Sequence, residues 1–260
     1  MTKILAVTNQ KGGVGKTTTT VNLAASLAAA KQRVLLIDLD PQGNATMGSG
    51  IDKRDLQASV YEVLLGSKTI AEARLRSEAG QYDLLPANRD LAGAEIELVA
   101  LVHREMRLRD ALQRVAAEYD FVLIDCPPAL NLLTLNGLCA AKSVMIPMQC
   151  EYYALEGLSD LVNTIRKVRA NLNPVLEIEG LLRTMFDPRN ALAQQVSDQL
   201  EEHFGNKVYR TVIPRNVRLA EAPSYGVPVM YHDKLSKGTQ AYLALAEELL
   251  NIATQPAVTA

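Results

Sequence analysis

The sequence predicts a doubly wound α/β domain, a mostly parallel sheet with helices on both faces, and three observations carry that prediction. Short apolar runs alternate with longer segments whose apolar residues recur at helical spacing. The first of these runs passes through a glycine-rich turn straight into a helix. No repeat, low-complexity linker or shift of composition divides the 260 residues, which suffice for one substantial core. A single domain over residues 1–260 is expected, with a flexible tail from about residue 253.

The first strand is expected at residues 4–8 and the first helix at 17–30, where Val21, Ala24, Leu27 and Ala28 share a face. Between them lies Gln10-Lys11-Gly12-Gly13-Val14-Gly15-Lys16-Thr17-Thr18. Glycines let a backbone approach closely and turn its N–H groups inward, and the first turn of a helix adds unsatisfied N–H groups and a positive dipole end. The segment therefore reads as a phosphate cradle, in which Lys16 would reach the β- and γ-phosphates and the Thr17 hydroxyl would ligate Mg²⁺. The general pattern G-x-x-x-x-G-K-[ST] wants glycine where Gln10 stands, and Lys11 adds a second cation.

A second strand at 34–38 ends in Asp38, followed by Leu39-Asp40-Pro41-Gln42-Gly43-Asn44. Acids at the carboxyl end of a parallel strand face the crevice where such sheets bind ligands; the plainer account makes Asp38 and Asp40 turn residues beside Pro41. Residues 45–118 carry less chemistry. They offer a strand at 82–85 and a helix over 91–117 with the mixed pattern of a solvated face, and His103 is given no role.

The strand at 121–125 is Phe-Val-Leu-Ile-Asp, whose terminal Asp125 would hold Mg²⁺ directly or through water. Pro127 and Pro128 end it and stiffen its exit. A helix at 130–140 and a strand at 144–148 follow, and then Glu151 at another strand end. The dipole of the next helix, 155–171, is one account of that acid. A strand at 179–185, a helix at 191–204, a strand at 208–213 and a helix at 239–252 complete the chain. Pro214 and Asn216 leave the last strand, and an amide offers both a donor and an acceptor.

Charge and cysteine content narrow the function. Twenty-seven Lys and Arg against 29 Asp and Glu give a net charge of −2, so any nucleic-acid site has to be a local patch. Residues 205–240 supply one candidate, with Lys207, Arg210, Arg215, Arg218, Lys234 and Lys237 against Glu221 and Asp233; a solvated face is the alternative. Cys126, Cys139 and Cys150 are odd in number and apolar in setting, as buried reduced thiols are. With no room for a signal peptide and no apolar run of membrane length, the expected compartment is the cytoplasm.

Residues 10–18, 35–44, 121–128, 149–158 and 220–228 together resemble the ParA/Soj partition ATPases, within the deviant Walker A group that also contains MinD. The resemblance spans roughly residues 3–250 and implies a P-loop NTPase that binds ATP and Mg²⁺. It implies that Lys11 reaches across a homodimer to the partner's nucleotide, that Asp38 positions or activates water, and that Asp40 senses the γ-phosphate. Thr17, Asp38 and Asp125 then form the metal set, and Glu151 lies near nucleotide across the dimer. Adenine falls to Pro214 and Asn216, with Arg183, Met185 and Pro188 on the base's other side. Arg189, Arg218, Lys234 and Lys237 sit at or near the family's positions for non-specific double-stranded DNA. A centromere-binding ParB would stimulate hydrolysis and release the dimer from the nucleoid.

Two other classes share the loop. A MinD-like membrane-cycling ATPase needs a basic amphipathic C-terminal helix, whereas the last helix here turns Tyr242, Leu245, Leu249 and Leu250 inward and Glu247 and Glu248 outward. A metabolic enzyme resembling dethiobiotin synthetase, or an iron–sulfur reductase of the nitrogenase type, needs substrate-pocket residues or bridging cysteines that the sequence does not offer.

Overall fold

A computed structural model describes residues 2–254; of the tail expected from about 253, residues 253–254 end the last helix and 255–260 lie outside the described residues. Seven strands form one sheet: β1 (Lys3–Val7), β2 (Val34–Asp38), β3 (Leu75–Ser77), β4 (Tyr82–Leu85), β5 (Phe121–Asp125), β6 (Ser143–Met148) and β7 (Glu177–Arg183). Their order is β3-β4-β2-β5-β1-β6-β7, and all neighbours are parallel except the β3–β4 pair. The strand carrying the glycine loop is thus flanked by β5 and β6, and β5 is flanked by β1 and β2. In register, Asp38 faces Asp125 and Val7 faces Asp125, which brings three strand ends to one rim.

Side-chain alternation on the central strands feeds two cores, as a sheet covered on both faces requires. Leu5, Val7, Leu36, Leu123 and Met145 pack with α1 (Lys16–Ala29) and with the C-terminal helix Lys237–Thr254, through Leu23, Leu27, Tyr242, Leu245 and Leu249. Ile4, Ala6, Leu35, Ile37, Val122, Ile124 and Ile146 pack on the other face, against Leu133 and Leu138 of Leu132–Ala140, Leu161 and Ile165 of Ala154–Asn171, and Val196 and Leu200 of Ala191–Phe204.

Two expected elements take other forms. Residues 91–117 are not one helix: Leu91–Leu98 stops, His103 adopts a left-handed backbone at φ 54°, and Arg107–Leu112 starts afresh. The buried Asn136 amide makes the break, donating to the Arg104 carbonyl at 2.8 Å and accepting from Leu108 N–H at 3.1 Å. Residues 208–213 form no strand of the sheet: they follow the end of β7 through the Leu181–Val208 bridge and through Tyr209 and Ile213 N–H groups that donate to the Leu181 and Arg183 carbonyls at 3.0 and 2.9 Å, and the Phe186–Pro214 bridge lies beyond that strand. Glu248 interrupts the pairing between these contacts, because its carboxylate takes the Arg210 and Thr211 N–H groups at 2.8 and 2.9 Å, the latter lying between the two that reach β7. That carboxylate therefore does not point outward from the last helix as its spacing suggested. The edge strand β3 and the short helices at Asn44–Gly48, Val60–Leu65, Ile70–Ala73, Val217–Glu221 and Val229–His232 had no clear periodic signal.

Candidate nucleotide-binding and hydrolysis site

The glycine loop joins β1 to α1 at the carboxyl rim of the sheet. Gly13 and Gly15 take φ of 73° and 87°, conformations that side chains resist, and Gly15 sits at the N-cap of α1. Lys16 is buried and donates to the Lys11 carbonyl at 3.0 Å, so it arches over the loop. Burial lowers its pKa, while the nearby charges of Asp125 and Asp40 oppose that shift.

Beneath the loop, Asp125 is 1% exposed. It accepts from Thr17 Oγ1 at 2.7 Å and from Thr20 Oγ1 at 3.1 Å. Thr17 and Thr20 share a helix face at i, i+3, a spacing already present in the sequence that identifies Thr20 as a second anchor. Desolvation pushes the Asp125 pKa up, the neighbouring Asp38 adds to this, and the two threonine hydroxyls oppose it. A buried carboxylate with a hydroxyl beside it, beneath glycine N–H groups, fits a magnesium–nucleotide pair.

Asp38 is fully buried and already engaged. Oδ2 accepts from Thr46 N–H and Thr46 Oγ1, both at 2.8 Å, and Oδ1 accepts from Asp40 N–H at 3.1 Å. Its carboxylate holds the helix Asn44–Gly48 in place. Burial raises its pKa, against these hydrogen bonds. Both Asp38 oxygens thus turn to Thr46 and Asp40, and which of the two strand-end acids meets water or Mg²⁺ is taken up below as a proposal. Asp40, half-buried two residues on, is the acid that reaches the rim.

Lys11 points out of the cradle and pairs with Glu151 at 2.5 Å, both side chains about half exposed. Asn9 anchors the loop's entry: Nδ2 donates to the Pro147 carbonyl at 2.8 Å and Oδ1 accepts from Lys11 N–H at 3.0 Å. On the other side of the loop, the Phe186–Pro214 bridge draws Met185 beside Pro214. Met185 itself has φ 49°. Asn216 caps Val217–Glu221 by accepting from Arg218 N–H at 2.9 Å, which leaves its amide N–H₂ free to donate.

The four expected DNA contacts lie elsewhere and are unequal. Arg189 is paired with Asp187 at 2.8 Å, and Arg218 is held by Glu221 at 2.7 Å and Asp233 at 3.3 Å. Lys234 and Lys237 are exposed and form no ion pair among the described residues. No helix among the described residues is long and apolar enough to cross a membrane.

A family described as an AAA domain matches residues 2–178. The sporulation initiation inhibitor protein Soj of Bacillus subtilis is 55% identical over 96% of this chain and 98% of its own length. The chromosome partitioning protein ParA of Myxococcus xanthus is 54% identical over 95% and 88% respectively. Among solved structures, cobyrinic acid a,c-diamide synthase from Mycobacterium smegmatis with bound ADP and magnesium superposes with a TM-score of 0.86 at 41% identity, covering 98% of this chain and 96% of that one. With that identity running over nearly the whole length, the chain belongs to the ParA/Soj family of partition ATPases.

Proposed function

We propose that the protein is an ATP- and Mg²⁺-dependent switch for DNA segregation, whose ATP-bound homodimer holds double-stranded DNA without sequence specificity and lets go on hydrolysis. The observation that carries this reading is Lys11, a second loop lysine whose ammonium lies outside its own cradle on Glu151 while Lys16 closes the cradle. A cation that does not serve its own phosphates is available to a partner's.

Within each protomer, Gly12, Gly13, Val14, Gly15, Lys16, Thr17 and Thr18 bind the phosphates, and Thr17 with Asp125 holds the metal. Bound Mg²⁺ supplies neutralisation of charge that develops on the transferring phosphoryl group. Asp40 orients the attacking water, and Asp38 keeps the segment bearing Asp40 in register through Thr46. Lys11 from the partner completes the charge clamp, which makes turnover depend on dimerisation. Met185, Pro214 and Asn216 receive the base, and Glu151 exchanges its cis partner for contacts across the dimer. Arg189, Arg218, Lys234 and Lys237 form the phosphate-facing surface, doubled in the dimer. A ParB-type centromere-binding protein raises hydrolysis and so times release.

The test is DNA binding at several salt concentrations with no nucleotide, ADP, ATP or a slowly hydrolysed ATP analogue. Tight, salt-sensitive binding is expected with ATP and the analogue alone. Lys11→Ala should still bind ATP but lose ATP-dependent DNA binding, and normal DNA binding by that variant would overturn the assignment. Turnover that requires a small-molecule acceptor, and ignores DNA and ParB, would point instead to a metabolic enzyme.

A further inference from the structure

Thr184 lies at the exit of β7, outside the motifs above, yet its side chain reaches the phosphate loop. It is 2% exposed, and its Oγ1 donates to the Val14 carbonyl at 2.7 Å across 170 positions of sequence. Its own N–H donates to the Met148 carbonyl at 2.8 Å, tying it to the end of β6. The Thr184 Cβ and methyl stand 3.8 Å from the point where a Cβ on Gly15 would sit, so the side chain backs the loop closely.

A trans peptide is planar and carries its C=O and N–H on opposite sides. A donor on the Val14 carbonyl therefore aims the Gly15 N–H away from β7, toward the open side of the loop. That N–H has no protein partner among the described residues. Glycine's freedom makes the restraint necessary, because the Val14–Gly15 peptide borders a residue at φ 87° and has little steric reason to hold one face outward. Turned over, the same peptide would present a carbonyl oxygen to an anion.

We propose that Thr184 is a positioning residue for polyphosphate binding, its hydroxyl locking the Val14–Gly15 peptide so that the Gly15 N–H faces the ligand. The inference rests on the nucleotide-binding reading above. It also joins two parts of the site, since Thr184 immediately precedes Met185 on the base side.

Three variants of the full chain separate donor from packing: Thr184→Val keeps the volume without the hydroxyl, Thr184→Ser keeps the hydroxyl without the methyl, and Thr184→Ala has neither. Equilibrium titration with fluorescent ADP and ATP analogues in Mg²⁺ should show Val and Ala weakened roughly ten- to hundredfold for both, the range for one hydrogen bond to a charged group. Ser should restore most of the affinity. Ser and Ala lack the same methyl, so a packing defect moves them together in binding and in ligand-free melting, while loss of the donor separates their binding; this pair decides the matter even if Val folds poorly. Wild-type affinity in Ala, or affinity in Ser as low as in Ala, would overturn the proposal. Failure of the unaltered chain to bind either nucleotide is a distinct result that would remove the nucleotide reading itself.

Discussion

The crevice at the ends of β1, β2 and β5 and the surface of residues 205–240 are built in opposite ways. In the crevice, Asp38, Asp125, Thr20 and Thr46 are buried and satisfy one another, and two carboxylates side by side are held against their own repulsion. At the surface, charge is spread over exposed loops and short helices, and Arg218 is largely neutralised by Glu221 and Asp233. Chemistry needs fixed directions, so it is preorganised at a cost in stability; sequence-independent grip on a polyanion needs mobile cations that release counterions. Local net charge is therefore a poorer guide to grip than the lysines left unpaired.

The largest effect should come from dividing the two strand-end acids. Asp40→Ala is expected to slow ATP turnover at least about a hundredfold with ATP binding retained, as loss of a water-positioning group does. Asp38→Asn, which preserves the shape, should chiefly loosen the Asn44–Gly48 helix and lower the melting temperature. Rapid turnover by Asp40→Ala beside a folded but inactive Asp38→Asn would reverse the two roles.

On the surface, Lys234→Glu and Lys237→Glu should each weaken DNA binding at low salt by about tenfold and flatten its salt dependence by roughly one unit of log–log slope. Arg218→Glu should do less than either, since its charge is already shared with two acids. Equal losses at all three positions would show that the ion pairs of Arg218 open on DNA.

The smallest effect tests the strain in the crevice. Asp125→Asn should end hydrolysis yet raise the melting temperature of the ligand-free chain by a few degrees, about 1 kcal/mol for a domain of this size. Because the folded carboxyl holds its proton to higher pH than the unfolded one, the wild-type penalty is greatest at alkaline pH. The gap between variant and wild type should close as pH falls to about 4, the ordinary carboxylate range. A gap independent of pH would place the cause in packing.

The crevice was legible in the sequence because its determinants are local: one apolar strand, one glycine turn and one terminal acid each announce themselves within ten or so residues. What was missed depends on partners distant in sequence. Nothing near Thr184 names Val14, nothing near Arg210 names Glu248, and the amide that splits residues 91–117 is Asn136. The sequence does not separate Asp38 from Asp40 by face, since a spacing of two puts both on one side of an extended strand and does not say which of them Thr46 will occupy.

With residues 208–213 drawn off by Glu248, the amino-terminal half of β7 is an outer edge of the sheet. Open edges invite strands from other molecules. Here the edge bears Glu177 and Glu179, the latter tied to Lys3 at 2.5 Å, and the opposite edge, β3, is only three residues long and runs antiparallel. Charged and abbreviated edges resist edge-to-edge zipping. The chain is thereby guarded against aggregation at high concentration, and the strand that fails to form is part of that protection.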